Sequence, residues 1–177
     1  MQVRRVITGE ESDGTSVIVR DELVDPIIVG LVPGMRWHRI WGSDAPPALP
    51  APETNPEGSA VFPPPGGFRF GFLTMEPGEV ALPDDFDFDA GLREFTEKLP
   101  GMMDVVDQAH PGMHSTDTVD YIVVLSGEVC LELDNQERVT LRAGEAVVQN
   151  GTRHAWHNLS DKPCVMATTI IGATRQA

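Results

Sequence analysis

The stretch His114-Ser115-Thr116-Asp117-Thr118-Val119-Asp120 runs directly into an apolar segment at residues 121–125. Side chains alternate between the two faces of an extended strand. The side chains at 114, 116, 118 and 120 therefore share one face, which carries an imidazole, two hydroxyls and a carboxylate. Because a buried carboxylate is costly unless it is paired or coordinated, this face favours the binding of a cation, and a metal ion is the leading candidate.

The chain that follows this stretch has the pattern of an all-β protein. Short apolar runs alternate with turns of Gly, Asn, Asp, Ser or Pro, which is typical of an antiparallel sandwich or barrel. The predicted strands cover residues 120–125, 129–133, 138–141, 145–149, 154–158 and 165–171.

The amino-terminal part has weaker patterns. Residues 17–24, 35–41 and 68–75 are predicted strands, and residues 90–98 a short helix with Asp89 as its cap and Pro100-Gly101 as its end. The segment from Asp44 to Gly67 is rich in proline and glycine, which indicates a long connection. It could be a lid or a solvated loop.

Composition restricts the class of protein. The 177 residues suit one domain, and 27 acidic against 13 basic residues give a net charge of −14. Such a surface disfavours nucleic acid and anionic membrane as partners. No apolar stretch approaches a membrane span or the core of a signal peptide, which predicts a cytoplasmic protein. Cys130 and Cys164 are predicted to be buried free thiols.

The region from Met113 to Ile171 resembles a cupin, the double-stranded β-helix barrel. The family's first motif has two histidines one residue apart, then a glutamate and a glycine. Here His114 matches the first histidine, Thr116 stands in place of the second and Asp120 in place of the glutamate. Gly127 lies seven positions beyond Asp120, where the motif requires it.

The family's second motif is also recognisable. Gly144, Gly151, His154 and Asn158 take its glycine, histidine and asparagine positions, with a turn one residue shorter and Asn150 in place of proline. The resemblance implies a cupin or jelly-roll barrel. Its core would span residues 113–171, residues 1–112 would add strands, the proline-rich connection and the short helix, and residues 172–177 would be a tail.

The resemblance implies a metal site with His114, Asp120 and His154 as ligands. Two histidines and a carboxylate suit Fe(II) with open positions. Three ligands plus water also describe catalytic Zn, and Mn or Ni fit as well. A hydrogen-bonded core histidine is the alternative for each imidazole. Asp120 could instead cap a strand or pair with Arg153.

Four further side chains are candidates for the pocket or its surroundings. Thr116 is more consistent with a pocket hydroxyl than with a ligand, and His110 could supply a fourth ligand. Gln149, if it faces inward, could orient a substrate carbonyl. Trp156 shares the parity of His154 and either lines the pocket or belongs to the core.

The sequence supports two functions. The first is a metal-dependent enzyme, a dioxygenase or a lyase, decarboxylase or isomerase, acting on a small molecule. Phe68, Phe70 and Phe72, with Trp37 and Trp156, suggest an apolar pocket and hence an aromatic or carbonyl-containing substrate. The second is a barrel that binds small molecules without catalysis. A homodimer is expected, since the amino-terminal strands would otherwise leave sheet edges exposed.

Overall fold

The computed structural model describes residues 1–51, 60–78, 80–110 and 112–176. Within them the chain forms ten strands and one α-helix. In chain order the elements are β1 Val3–Glu10, β2 Ser16–Val24, β3 Met35–Ser43, β4 Phe68–Met75, α1 Phe88–Lys98, β5 Thr118–Ser126, β6 Glu128–Glu132, β7 Arg138–Arg142, β8 Ala146–Gln149, β9 Ala155–His157 and β10 Cys164–Gly172.

These strands form three antiparallel sheets. The larger barrel sheet has the order β3-β4-β10-β5-β8, the smaller one β7-β6-β9, and β1 and β2 form a separate hairpin. The all-β cupin fold predicted from the sequence is confirmed. Strand β1 was not predicted.

The core lies between the two barrel sheets. Ile122 and Val124 from β5 and Met166 from β10 pack with Val129 from β6 and Leu141 from β7. Each of these side chains is at most 9% exposed, so their burial is the main apolar contribution to the stability of the barrel. Both cysteines are free and buried, as predicted.

A glycine permits the tight turn between β5 and β6. Gly127 has φ +73°, and a Cβ at this position would lie 2.4 Å from the carbonyl oxygen of Pro163. Only glycine fits both the backbone angle and the space. This explains the glycine of the first motif.

One expectation about the amino-terminal half is wrong, and another is tested only in part. The helix is capped by Asp87, whose side chain accepts a hydrogen bond from the amide of Ala90 at 2.9 Å, and not by Asp89. The predicted connection from Asp44 to Gly67 lies partly outside the described residues. Its described end is fixed to the barrel, because Val61 donates to Pro100 and Gly66 donates to Gly172 through the backbone.

Candidate metal centre

The two motif histidines lie side by side. His114 and His154 form an isolated antiparallel bridge, with backbone N–H···O distances of 2.9 and 3.0 Å in the two directions. Their ring centroids are 4.3 Å apart and the rings are tilted by 50°. The pairing of two chain segments 40 positions apart in sequence therefore places both imidazoles in one site.

Gln149 and Thr152 surround Nδ1 of His154. The carbonyl oxygen of Thr152 lies 2.9 Å from Nδ1 of His154 and 2.9 Å from Nε2 of Gln149, which also lies 2.7 Å from Thr152 Oγ1. Nε2 of Gln149 also lies 2.8 Å from Nδ1 of His154, so Nδ1 is held by both neighbours. In the tautomer that binds a metal, Nδ1 donates to the carbonyl oxygen of Thr152 and Nε2 carries the lone pair.

Nδ1 of His114 also faces a backbone carbonyl. Its Nδ1 lies 3.2 Å from the carbonyl oxygen of Gly112, to which it donates. Metal-binding histidines usually donate their second ring N–H to a carbonyl or carboxylate in this way, which orients the ring. Both rings therefore keep Nε2 available for a ligand.

Burial keeps the two imidazoles neutral. Burial, with a smaller contribution from the neighbouring His114, lowers the pKa of His154 to about 4. Burial likewise lowers the pKa of His114 below its usual value. Neutral imidazole is the form that coordinates metals, so the site holds two unprotonated donors at neutral pH.

Asp120 is a buried carboxyl group with an unused oxygen. It is 5% exposed, and its Oδ1 has no hydrogen-bond partner in the described part of the chain. Burial raises the pKa of Asp120 to about 6, and a hydrogen bond with Thr118 partly opposes that rise. Arg153, an alternative partner in the sequence, instead pairs with Asp107 and Asp134.

Thr116 belongs to a hydroxyl pair and not to the imidazole pair. Its Oγ1 lies 2.7 Å from that of Thr118, and both side chains are 2% exposed. The hydroxyl pair thus extends along the strand towards Asp120. The position of Thr116 is consistent with a pocket hydroxyl, and its role as a metal ligand has no support from these contacts.

A second motif glycine holds this strand in place. Gly151 has φ +61°, and a Cβ there would lie 2.6 Å from the carbonyl oxygen of Thr116. Arg175 bridges the two segments, because its Nη2 donates to the carbonyl oxygens of Thr116 and Gly151 at 3.2 and 3.1 Å. The close approach of these backbones requires glycine.

The described residues bring together two of the three predicted ligands. Within residues 1–51, 60–78, 80–110 and 112–176, no group of three or more His, Cys, Asp or Glu side chains is arranged to hold a metal ion. Asp120 as the third ligand therefore stays a prediction. His110 does not join the site, because its side chain is 67% exposed and contacts Asp107.

Aromatic rings flank the imidazole pair on both sides. The Phe62 ring centroid lies 6.3 Å from that of His114, and the Trp156 centroid lies 5.9 Å from that of His154 in an edge-to-face arrangement. Trp156 also packs against the core cluster, which confirms its predicted core role, and pocket lining stays a prediction. Sequence reasoning missed Phe62, which lies in the proline-rich connection.

The phenylalanines of β4 do not line this site. Leu73 is paired with Met166, and Met166 is paired with Val124, which places all three on the core face. Phe68, Phe70 and Phe72 have the opposite parity and lie on the outer face. Their predicted contribution to the pocket is wrong, because the parity of β4 directs Leu73 and Met75 inward.

Comparison with known proteins identifies the class of this barrel. A family model described as "Cupin domain" matches residues 101–171. Residues 101–171 of this chain therefore form a cupin domain. In the described residues no helix is long and apolar enough to span a membrane.

Several fungal proteins share part of this sequence. Phomopsin biosynthesis cluster protein C′ of Diaporthe leptostromiformis is 46% identical over 68 residues, covering 35% of each chain. Oryzines biosynthesis cluster protein J of Aspergillus oryzae is 35% identical over 103 residues, covering 50% of this chain and 56% of that protein. The cupin-domain-containing oxidoreductase virC of Hypocrea virens is 36% identical over 59 residues, covering 33% and 30%. The chain therefore spans between about a third and about half of each relative's length.

Among solved structures, the cupin domain of Schizosaccharomyces pombe Cnp3 aligns with a TM-score of 0.48 at 8% identity. That alignment covers 96% of this chain and 87% of the other.

Proposed function

We propose that this protein is a metal-dependent enzyme that acts on a small aromatic or carbonyl-containing metabolite. The observation that carries the proposal is the pair of neutral imidazoles, each with Nδ1 bound to a backbone carbonyl and Nε2 available. The oxidoreductase name of one relative and the biosynthesis-cluster names of two others support an enzyme.

The donor set suits one divalent metal ion, which His114 and His154 would hold through Nε2. Asp120 is the proposed third ligand, because its buried, partnerless oxygen calls for a cation or a hydrogen-bond donor. Two imidazoles and a carboxylate favour Fe(II), and Zn, Mn and Ni share the preference for imidazole or carboxylate.

When bound, the metal would supply Lewis acidity towards a substrate oxygen or, if it is iron, oxidative chemistry. Side chains of the protein would orient the ligands and shape the substrate site. Gln149 contacts the Thr152 carbonyl and Nδ1 of His154 and would help to orient that ring. Phe62 and Trp156 flank the imidazoles and favour a flat, apolar substrate.

A non-catalytic binding barrel is the second candidate. It is favoured by the absence of an assembled group of three donors in the described residues. This function predicts that a small molecule still binds after a chelator has removed all metal, whereas the enzyme loses activity with its metal.

A substrate panel tests the proposed function. The protein is loaded anaerobically with Fe(II), Mn(II), Zn(II) or Ni(II) and offered aromatic diols and keto acids, and oxygen uptake and products are followed. We expect turnover with at least one metal and none after chelation, with His110→Ala behaving as wild type. Binding of a panel compound that survives chelation, with no turnover for any metal, would establish the binding barrel instead.

A further inference from the structure

Arg153 directly precedes His154, and its guanidinium joins this residue to two other segments of the chain. Nη2 and Nε of Arg153 donate to Oδ2 of Asp107 at 2.6 and 3.2 Å, and Nη1 donates to Oδ1 of Asp134 at 2.6 Å. The side chain of Asp107 is 30% exposed, against 62% for Asp134. Water and salt screen a charge pair less as its burial increases, so the pair with Asp107 is the stronger of the two.

Asp107 closes the loop at residues 107–113, which leads directly to His114. The backbone N–H of Asp107 donates to the carbonyl oxygen of Met113 at 2.8 Å. The residue before Asp107 forms an isolated antiparallel bridge with His114. The two ends of the loop therefore meet beside the imidazole pair, and the carboxylate of Asp107 is the point at which Arg153 holds them.

The loop also supplies the carbonyl oxygen that faces the ring of His114. This oxygen belongs to Gly112 and lies 3.2 Å from Nδ1 of His114. The φ angle of Gly112 is +94°, in a region that glycine enters and leaves at little cost. The residue itself therefore does little to fix the direction of its carbonyl, and the contacts that hold the loop have to fix it.

We propose that Arg153 is a positioning residue for the metal centre. Its ion pair with Asp107 holds the loop at 107–113 in place, and the loop directs the carbonyl oxygen that orients the ring of His114. Because Arg153 and His154 are adjacent in the chain, the same ion pair ties one imidazole to the loop that orients the other. The role rests on the proposed function, because it presupposes that both imidazoles hold one metal.

Asp134 provides a comparison at the same guanidinium. It lies in the turn between β6 and β7, and in the described residues that turn supplies no hydrogen bond to either imidazole. The ion pair with Asp134 can therefore stabilise the fold without orienting the rings. A purely structural role of Arg153 predicts that both carboxylates matter alike, whereas a positioning role singles out Asp107.

Nitrogen-15 NMR of the imidazoles in the chelator-treated protein tests the role without a metal. The hydrogen bond at one ring nitrogen decides which nitrogen of a neutral histidine carries the proton. We expect the proton of His114 on Nδ1 in the wild type and in Asp134→Asn. In Arg153→Gln and Asp107→Asn the contact with the loop carbonyl loosens, and a second form with the proton on Nε2 should appear.

The affinity for zinc, from titration calorimetry, gives the second measurement. Arg153→Gln and Asp107→Asn should each raise the Kd for zinc about 10-fold, the lower end of the cost of losing a group that supports a metal ligand. The double variant should lose no more than either single one, since both remove the same ion pair. Arg153→Lys keeps the charge and should recover part of the affinity. Asp134→Asn is the matched control and should bind zinc as the wild type does.

Circular dichroism and urea unfolding check that every variant is folded. A His114 proton on Nε2 in the wild type, or a tautomer unchanged in both Arg153→Gln and Asp107→Asn, overturns the proposed role. So does a Kd for zinc that neither variant raises, or that Asp134→Asn raises as much. A wild-type protein that binds no zinc would remove the proposed metal chemistry, and the NMR comparison would still decide whether Arg153 orients the ring.

Discussion

Replacing His154 with alanine should lower the affinity for zinc at least about 100-fold, because loss of a group that merely supports a ligand already costs about 10- to 100-fold. The imidazole of His154 is 2% exposed and adjoins that of His114, so its loss removes one of the two adjacent nitrogen donors. Titration calorimetry on protein stripped by a chelator measures the effect.

His110→Ala is the matched control for this variant. Its imidazole is exposed and contacts Asp107, so its removal should leave the zinc affinity unchanged. Equal affinity in wild type and His154→Ala would remove His154 from the site. Loss of affinity in His110→Ala would show that the exposed loop reaches the metal.

The second prediction concerns stability and pH in the metal-free protein. In the folded state the pKa of His154 is about 4, against an ordinary value of 6.5. The unfolded chain therefore takes up a proton first as the pH falls. Acidification from about pH 6.5 to about 4.5 should destabilise the fold through this group by about 2 kcal/mol. His114 acts in the same direction.

Asp120 has the opposite effect. Its pKa is about 6 in the folded state and ordinarily 3.8, so the folded protein takes up its proton first. The same acidification should stabilise the fold by about 2 kcal/mol through Asp120. The two contributions nearly cancel in the wild-type protein.

The variant Asp120→Asn removes the stabilisation that protonation of Asp120 contributes as the pH falls. Between about pH 6.5 and 4.5 it should lose about 2 kcal/mol more unfolding free energy than the wild type, measured by urea unfolding in the presence of a chelator. Asp117→Asn removes an exposed carboxylate and should follow the wild type. An Asp120→Asn curve parallel to that of the wild type would mean that Asp120 ionises normally in the folded protein.

Much of the barrel could be predicted from sequence, because strand parity and turn residues are local signals. The β4 prediction of residues 68–75 coincides with the observed strand, and the two motifs led directly to His114 and His154. Strand β1 was missed because Arg4, Arg5 and Thr8 interrupt its apolar pattern. Its partner β2 lies beyond a turn and supplies the pairing that the pattern does not reveal.

The contacts that complete the site could not be predicted, because they are long-range. Phe62 reaches His114 from a proline-rich segment with no periodicity. The orientation of Gln149 was left open by the sequence, and its contact with Nδ1 of His154 depends on the turn at Thr152. The same parity rule shows that Phe68, Phe70 and Phe72 lie outside the barrel once the core face of β4 is known.

The central claim is that His114 and His154 present Nε2 lone pairs to one shared metal. Nitrogen-15 NMR of the imidazoles, assigned by single histidine substitutions, tests it directly among the five histidines of the chain. We predict that both rings carry their proton on Nδ1 and that one equivalent of zinc shifts Nε2 of these two rings only. A proton on Nε2 of His154 in the metal-free protein, or zinc that leaves both rings unchanged, would contradict the account.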